Sequence, residues 1–570
     1  MITAPATRIN LIYIFACLLA FLLLGKLFLI QIIYGEEYTE RAHAQYVSPV
    51  ADAFARGSIY FTRKDGTLFS AATLARGFTL AINPKELGEP VQVFQELSSV
   101  IPGLNLDVFL VKAAKKNDPY EEIKTRISEE LALRVRELKL TGVGVYEEKW
   151  RFYPSAGLGA HVLGFVGYEG ERLRGRYGVE RYYEDTLSRI EEEVRINFFA
   201  DAFAGLRETL FYESAPREGD LVLTLEPEVE RFLEHSLSTL VDEWHADSGG
   251  ALVINPKNGE IYAMAARPTF DPNNFSEVSS YTVFSNPLVE DVYELGSIMK
   301  PLTMAAGIDA GVVSSKETYN DKGYVVMNQA RIENHDGKAH GEVSMQEVLN
   351  QSLNTGAVYV MQQLGRERFS TYMKSFGLGE ETGIDLPNET HGLVDNLDSP
   401  RDIEHATASF GQGIAISPVA MVRALSALAN GGVLVTPHVA SRINHKFGTY
   451  NISYGGEERV LSEETSEEIT RMLVRVVDEA LAGGKVFLPH WSIAAKTGTA
   501  QMAEATSGGY YEDRFLHSFF GYFPAFDPQF LVFYYIVNPK GVRYASETLT
   551  HPFLETAKFL IQYYEIPPDR

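Results

Sequence analysis

At 570 residues the chain exceeds one ordinary domain, and its length predicts two to four. Hydrophobic residues make up 45% and aromatics 12%, enough to fill real cores, which excludes a disordered protein. A net charge of −24 excludes the basic face that nucleic-acid binding needs, and the single cysteine, Cys17, excludes intramolecular disulfides and Cys-rich metal clusters.

Residues 11–33 are a 23-residue apolar stretch interrupted only by Lys26 and Gln31, long enough to span a bilayer as a helix. Residues 1–10 carry Arg8 and no acidic residue, so this tail is predicted to stay cytoplasmic. Ala42-His43-Ala44 loosely matches a signal-peptidase site, but Glu36, Glu37, Glu40 and Arg41 separate it from the apolar run. An uncleaved single-pass anchor is the expectation, with everything after Tyr34 outside the cytoplasm.

Residues 36–220 read as a mixed α/β region. Strands are expected at 58–61 and 77–82, with the turn Lys64-Asp65-Gly66 between them, and helices at 90–111 and 127–140. Residues 188–217 are rich in charge and aromatics and receive no role. Ser214 to Gly219, containing Pro216, reads as a boundary. A second region, 221–566, opens with a helix at 227–244. A hairpin follows, with strands 250–255 and 260–266 around Lys257-Asn258-Gly259. The section 288–481 reads as mainly helical, with a capping box at Ser344-Met345-Gln346-Glu347. Strands at 491–495, 515–523 and 530–537 and a helix at 552–563 close the chain. This order predicts a multidomain α+β protein whose C-terminal part is one antiparallel sheet between helical layers.

Three short motifs lie in that part. In Leu295-Gly296-Ser297-Ile298-Met299-Lys300-Pro301 a hydroxyl and an amine stand three residues apart, on one face if helical. Pro301 fits a first helical turn, which puts Ser297 near a helix N-terminus, where a developing negative charge is favoured. Lys300 is placed to take the serine proton. Alone, such a pattern arises by chance about once or twice in a chain of this length. Ser352-Leu353-Asn354 and Lys496-Thr497-Gly498-Thr499 follow, however, completing the order S-x-x-K, S-x-N, K-T-G.

With these motifs the chain resembles the penicillin-binding proteins and serine β-lactamases, and more closely the class B penicillin-binding proteins, membrane-anchored peptidoglycan transpeptidases. Arg56-Gly57-Ser58-Ile59-Tyr60, Arg151-Phe152-Tyr153-Pro154, the run from His161 to Gly167, and Gly178-Val179-Glu180 are similar to that family's non-catalytic pedestal, also called its dimerisation domain. The resemblance implies a penicillin-recognising transpeptidase fold for 221–566. It implies Ser297 as nucleophile, Lys300 as base with Lys496 lowering its pKa, and Ser352 as proton relay to the leaving amine. Asn354 would hydrogen-bond Lys300 and the substrate amide, and Leu353 need only face away. The backbone N–H groups of Ser297 and Thr499 would form an oxyanion hole, with Lys496, Thr497 and Thr499 holding the donor carboxylate. Gly498 would admit the substrate backbone. The segment 409–417 resembles the region behind the family's site; Phe410-Gly411-Gln412-Gly413 has no P-loop lysine and is not a phosphate loop.

No metal and no cofactor is expected; His161, His335, His340 and His405 read as structural or surface residues. The implied partners are peptidoglycan stem peptides, β-lactams, the membrane, and a membrane-embedded glycosyltransferase with other cell-wall assembly proteins. The implied place is the cytoplasmic membrane of a bacterium, and the compact C-terminus leans towards cell division over elongation. Two rivals stand beside transpeptidation: a D,D-carboxypeptidase or β-lactamase of the same superfamily, and a catalytically silent cell-wall scaffold.

Overall fold

The computed structural model describes residues 55–170, 172–189, 218–455, 457–504 and 508–570, together with Leu19 and Lys26. The predicted anchor, apart from those two positions, and the charged segment from 190 to 217 lie outside the described residues. Among the described residues no helix is long and apolar enough to cross a membrane. The chain divides into two compact units, one containing residues 74–150 and the other residues 56–73, 151–189 and 218–570.

In the smaller unit the expected strand at 77–82 is the end of a longer one, Leu68–Ile82, whose last residues pair with Glu121–Ile127. The helix expected over 90–111 is two helices, Pro90–Val100 and Leu106–Ala113. Pro102 and Gly103 break it, the second with φ of 76°. The helix expected from 127 starts instead at Glu129, because Ser128 caps it by accepting from the Leu131 N–H. The helices close a small core around Leu80, Leu97, Phe109 and Val135.

In the larger unit the fragments similar to the pedestal motifs meet in one buried ion network. Arg56 Nε and Arg151 Nε donate to the two oxygens of Glu180 at 2.6 and 2.5 Å, and Tyr153 Oη donates to the same carboxylate at 3.2 Å. Glu180 is fully buried, which alone would raise its pKa; the two guanidiniums overcome this and hold it below the usual carboxylate range. His161 is structural, as expected: its ring is buried, edge-on to Phe270, and bonded through Nε2 to the Val283 carbonyl at 3.0 Å.

A five-stranded antiparallel sheet carries the rest of this unit. Its strands are β1 (Ser248–Ile254), β2 (Ile261–Arg267), β3 (Ala494–Ala503), β4 (Tyr510–Phe523) and β5 (Phe530–Val537), in the order β2-β1-β5-β4-β3. The predicted hairpin is β1 and β2, turning through Gly259 at φ of 85°. Along β5 the side chains alternate as a strand requires. Val532, Tyr534 and Ile536 pack with α1 (Pro227–Glu243) and the C-terminal helix, while Leu531, Phe533 and Tyr535 face the core shared with α2 (Lys300–Asp309). α1 forms because Pro227 sits in its first turn, Glu226 caps it, and Val229, Leu233, Leu237 and Leu240 fall on one face.

Residues 288–481 depart from the expectation of a mainly helical section. Short hairpins interrupt it: Thr318–Asp321 pairs with Gly341–Ser344, and Tyr324–Met327 with Ala330–Glu333. α3 (Met345–Asn350) begins at the expected cap, with Ser344 Oγ accepting from the Glu347 N–H at 3.3 Å. The Glu347 carboxylate accepts from Asn350 and Gln351, and so serves the end of the helix. After Ser352 the chain enters α4 (Asn354–Leu364).

Candidate active site

Ser297 lies in a 3₁₀ turn, Gly296–Met299, running directly into α2, with Pro301 in the first α-helical turn as expected. The turn is held from two sides. Gly296 N donates to the Gly411 carbonyl at 3.1 Å, and Ser518 Oγ on β4 donates to the Leu295 carbonyl at 2.7 Å. Gly296 has φ of 64°, and a Cβ there would meet the Thr499 carbonyl oxygen at 2.7 Å, so glycine is required to bring this turn against edge strand β3. The segment 409–417 stands behind it: Thr303 Oγ1 donates to the Ser409 carbonyl at 2.8 Å, and Ile416 O accepts from Tyr293 N at 3.0 Å.

Lys300 is fully buried, and its Nζ donates to the backbone oxygen and, at 3.2 Å, to the Oγ of Ser352. The expected hydrogen bond from Lys300 to Ser297 is replaced by this contact. Lys496 Nζ donates to the same Ser352 hydroxyl at 2.9 Å, so one oxygen accepts from both amines and keeps its own proton to give away. Burial, with the Lys496 charge second, holds the Lys300 amine well below the usual lysine range. Burial brings Lys496 down to about 7. Burial thus favours the neutral form of both amines, and the Lys496 charge adds to that effect at Lys300.

Ser352 has φ of 54°, a left-handed conformation that a non-glycine residue adopts only under constraint. Leu353, beside it, is fully buried and faces away as expected. Asn354 does not hydrogen-bond Lys300; its Nδ2 donates to the Glu333 carbonyl at 2.8 Å. It opens α4, and its side chain reaches the hairpin in front of the helix.

Lys496 to Thr499 were expected to follow a strand and instead lie within β3, at the edge of the sheet. Lys496, Thr497, Gly498 and Thr499 pair with Phe520, Phe519, Ser518 and His517. Alternation sends Lys496 and Gly498 inwards, where both are buried, and leaves Thr497 and Thr499 partly exposed. The reason for Gly498 is corrected accordingly. A Cβ there would meet Ser518 Oγ at 2.3 Å and the Leu295 carbonyl at 2.6 Å, so the close neighbour is the Ser297 turn itself. Thr499 Oγ1 accepts from the Ala545 N–H at 3.0 Å, which leaves its proton available.

Ser297, Ser352, Asn354, Lys496, Thr497 and Thr499 all line one cleft of about 1100 Å³. Sequence reading missed several of its walls: His335 and Asp336 from the loop after the second hairpin, Phe410 and Gln412, and Arg543 and Tyr544 after β5. Phe410 and Gln412 were placed behind the site and line it; His335 was read as structural or surface and faces it. His340, bonded to Gln351 and Asp336, also lines the cleft, whereas His405, buried and bonded to two backbone carbonyls, is structural as read.

A serine at a glycine-built turn, two buried lysines sharing one hydroxyl, and an edge strand meet in one cleft. Residues 249–557 match the penicillin binding protein transpeptidase domain, and residues 52–200 match the penicillin-binding protein dimerisation domain. The chain belongs to the class B penicillin-binding proteins. It is 32% identical to Stage V sporulation protein D of Bacillus subtilis over 556 residues, covering 96% of this chain and 84% of that one. It is 28% identical to the probable peptidoglycan D,D-transpeptidase PenA of Neisseria meningitidis, over 82% of this chain and 78% of the relative. Among solved structures, penicillin binding protein 2X from Streptococcus thermophilus shares the fold with a TM-score of 0.71 at 21% identity, covering 90% of this chain and 81% of that one.

Proposed function

We propose that Ser297 is the nucleophile through which this class B enzyme, a serine-type peptidoglycan D,D-transpeptidase, crosslinks stem peptides. The observation that carries the assignment is the sharing of the Ser352 hydroxyl by two buried lysines in the cleft that Ser297 lines. Lys300 takes the Ser297 proton as Oγ attacks the penultimate carbonyl of a D-Ala-D-Ala stem. The oxyanion is held by the N–H groups of Ser297 and Thr499. Ser352 gives its proton to the departing D-Ala amine and is reprotonated from Lys300. Lys496, Thr497 and Thr499 hold the donor carboxylate, and Asn354, tied to Glu333, meets the substrate amide. An amine of a second stem then takes the acyl group. β-lactams acylate the same serine; the aztreonam complex of penicillin binding protein 3 from Mycobacterium tuberculosis, on the same fold with a TM-score of 0.68, supports this reading. Kinetics with a donor stem peptide and an acceptor amine test the activity. The amide product should form in competition with hydrolysis; release of the free acid alone, at any amine concentration, would overturn transpeptidation in favour of a hydrolase.

The charge of Lys496 acting on Lys300 sets a pH prediction. Removing that cation in Lys496→Ala raises the Lys300 pKa, so more alkali is needed to free the base. The acid limb of the penicillin acylation profile should move to higher pH. A weakened affinity with an unmoved limb would leave Lys496 as a carboxylate ligand only.

We also propose that residues 11–33 anchor the chain in the cytoplasmic membrane with the catalytic part outside, supported by the apolar run and by Arg8 in the preceding tail. A membrane-embedded glycosyltransferase supplies the glycan strands, and cell division is the process served. A fluorescent fusion of the full chain should fractionate with membranes and collect at the septum. Recovery in the soluble fraction sinks the anchor, and an even signal along the side wall sinks the division role.

A further inference from the structure

The transpeptidase reading leaves one step without a residue. An acceptor amine arrives largely as an ammonium, its pKa being close to that of lysine, and must lose a proton before it can attack the acyl-enzyme. Lys300 and Ser352 serve the serine side of the reaction. On the facing wall, among the described residues, no hydrogen bond engages the ring nitrogens of His335, whereas His161, His340 and His405 spend theirs on the protein. His335 is exposed to the cleft that Ser297 and Ser352 line.

The loop that presents it is rigid. Asn334, the residue before, is buried and donates to Asp321 Oδ2 at 2.9 Å, while its own Oδ1 accepts from Thr355 Oγ1 at 3.0 Å. Glu333, two residues before, has its carbonyl held by Asn354 at 2.8 Å. The S-x-N motif and the start of α4 therefore fix the backbone on which His335 stands. The imidazole is set edge-on to the Tyr544 ring, another cleft wall, with centroids 5.8 Å apart.

We propose that His335 is a catalytic residue of the second half-reaction, the base that deprotonates the acceptor ammonium. An unprotonated ring nitrogen takes the first proton from the incoming ammonium. The free amine forms the C–N bond at the acyl carbon, and the bond from that carbon to Ser297 Oγ breaks. The second amine proton reaches Ser297 Oγ through Ser352 and Lys300, and His335 returns its proton to solvent. The groups facing the imidazole suit this use. Partial enclosure in the cleft, joined by the charges of Lys496 and Arg543, presses its pKa below the ordinary histidine value. Asp336, shared with His340, opposes them and is outweighed. The unprotonated form that can accept a proton is thereby favoured.

This inference rests on the transpeptidase reading, and the test separates the two. Wild type, His335→Ala and His335→Gln are acylated with a labelled penicillin, then with a thioester donor whose acyl-enzyme is partitioned between water and D-alanine. Absence of a penicillin adduct in wild type would mean that the underlying reading has failed. With that reading intact, both variants should acylate within about twofold of wild type and lose aminolysis by about 10²–10⁴. The acid limb of wild-type aminolysis, below pH 6.5, should be missing from His335→Gln. Aminolysis kept by His335→Gln would reduce the residue to a hydrogen-bonding or shape role and overturn the proposal. A parallel fall of acylation and aminolysis in both variants would overturn it as well, by placing His335 in the first half-reaction or in the fold.

Discussion

Ser297→Ala should abolish the covalent penicillin adduct that the unaltered chain forms at one per molecule, a loss of more than a thousandfold in labelling. Peptide mapping of the labelled wild type should return Ser297. Thermal unfolding should hardly move, because the hydroxyl is partly exposed in an open cleft and its removal leaves the turn's backbone ties to Gly411 and Ser518 in place. The competing nucleophile is Ser352, the other motif serine. Its oxygen accepts from two lysine amines, which lowers its nucleophilicity while suiting it to donate a proton. An adduct that survives in Ser297→Ala, or one that maps to Ser352, would falsify the assignment.

Lys300→Met should separate catalysis from stability. Methionine fills most of the lysine's volume without its amine, so penicillin should still dock while acylation slows by about 10²–10⁴. The same substitution should make the protein more stable at pH 7, by about 0.5–2 kcal/mol. The folded chain keeps Lys300 deprotonated where the unfolded chain's lysine still binds a proton. The unfolded state therefore binds more protons, and wild-type stability rises with pH from the depressed native value up to about 10.5, the ordinary lysine value. The advantage of Lys300→Met should shrink accordingly between pH 7 and 10 in paired thermal melts. A constant difference across that range would mean that the buried amine is charged in the native state, and its role as base would fall.

What the residues alone determine is the chemistry and the strongest elements. The three motifs are legible because acyl transfer needs specific groups, and few other sequences place Ser297, Ser352 and Lys496 in that order. β5 is legible as an unbroken apolar run, β1 and β2 by the Asn258-Gly259 turn, and α3 by the Ser344 cap, all signals that act over a few residues. The break at Pro102 and Gly103 was equally local and should have been read. The hairpins between Thr318 and Ser344 could not have been. Their strands are only four residues long and are held by Asp321, Asn334 and Thr355, which meet only when α4 is in place.

The tertiary structure alone decides which atoms meet. Lys300 reaches Ser352 across 52 residues and Lys496 reaches it across 144, so no spacing along the chain specifies either contact. That Gly498 yields to the Ser297 turn, that Asn354 turns to Glu333, and that His335 faces the cleft are outcomes of sheet pairing and core packing summed over the whole larger unit. Short-range patterns select residue types and periods; the burial that depresses Lys300 exists only once strands hundreds of residues apart have closed the core around it.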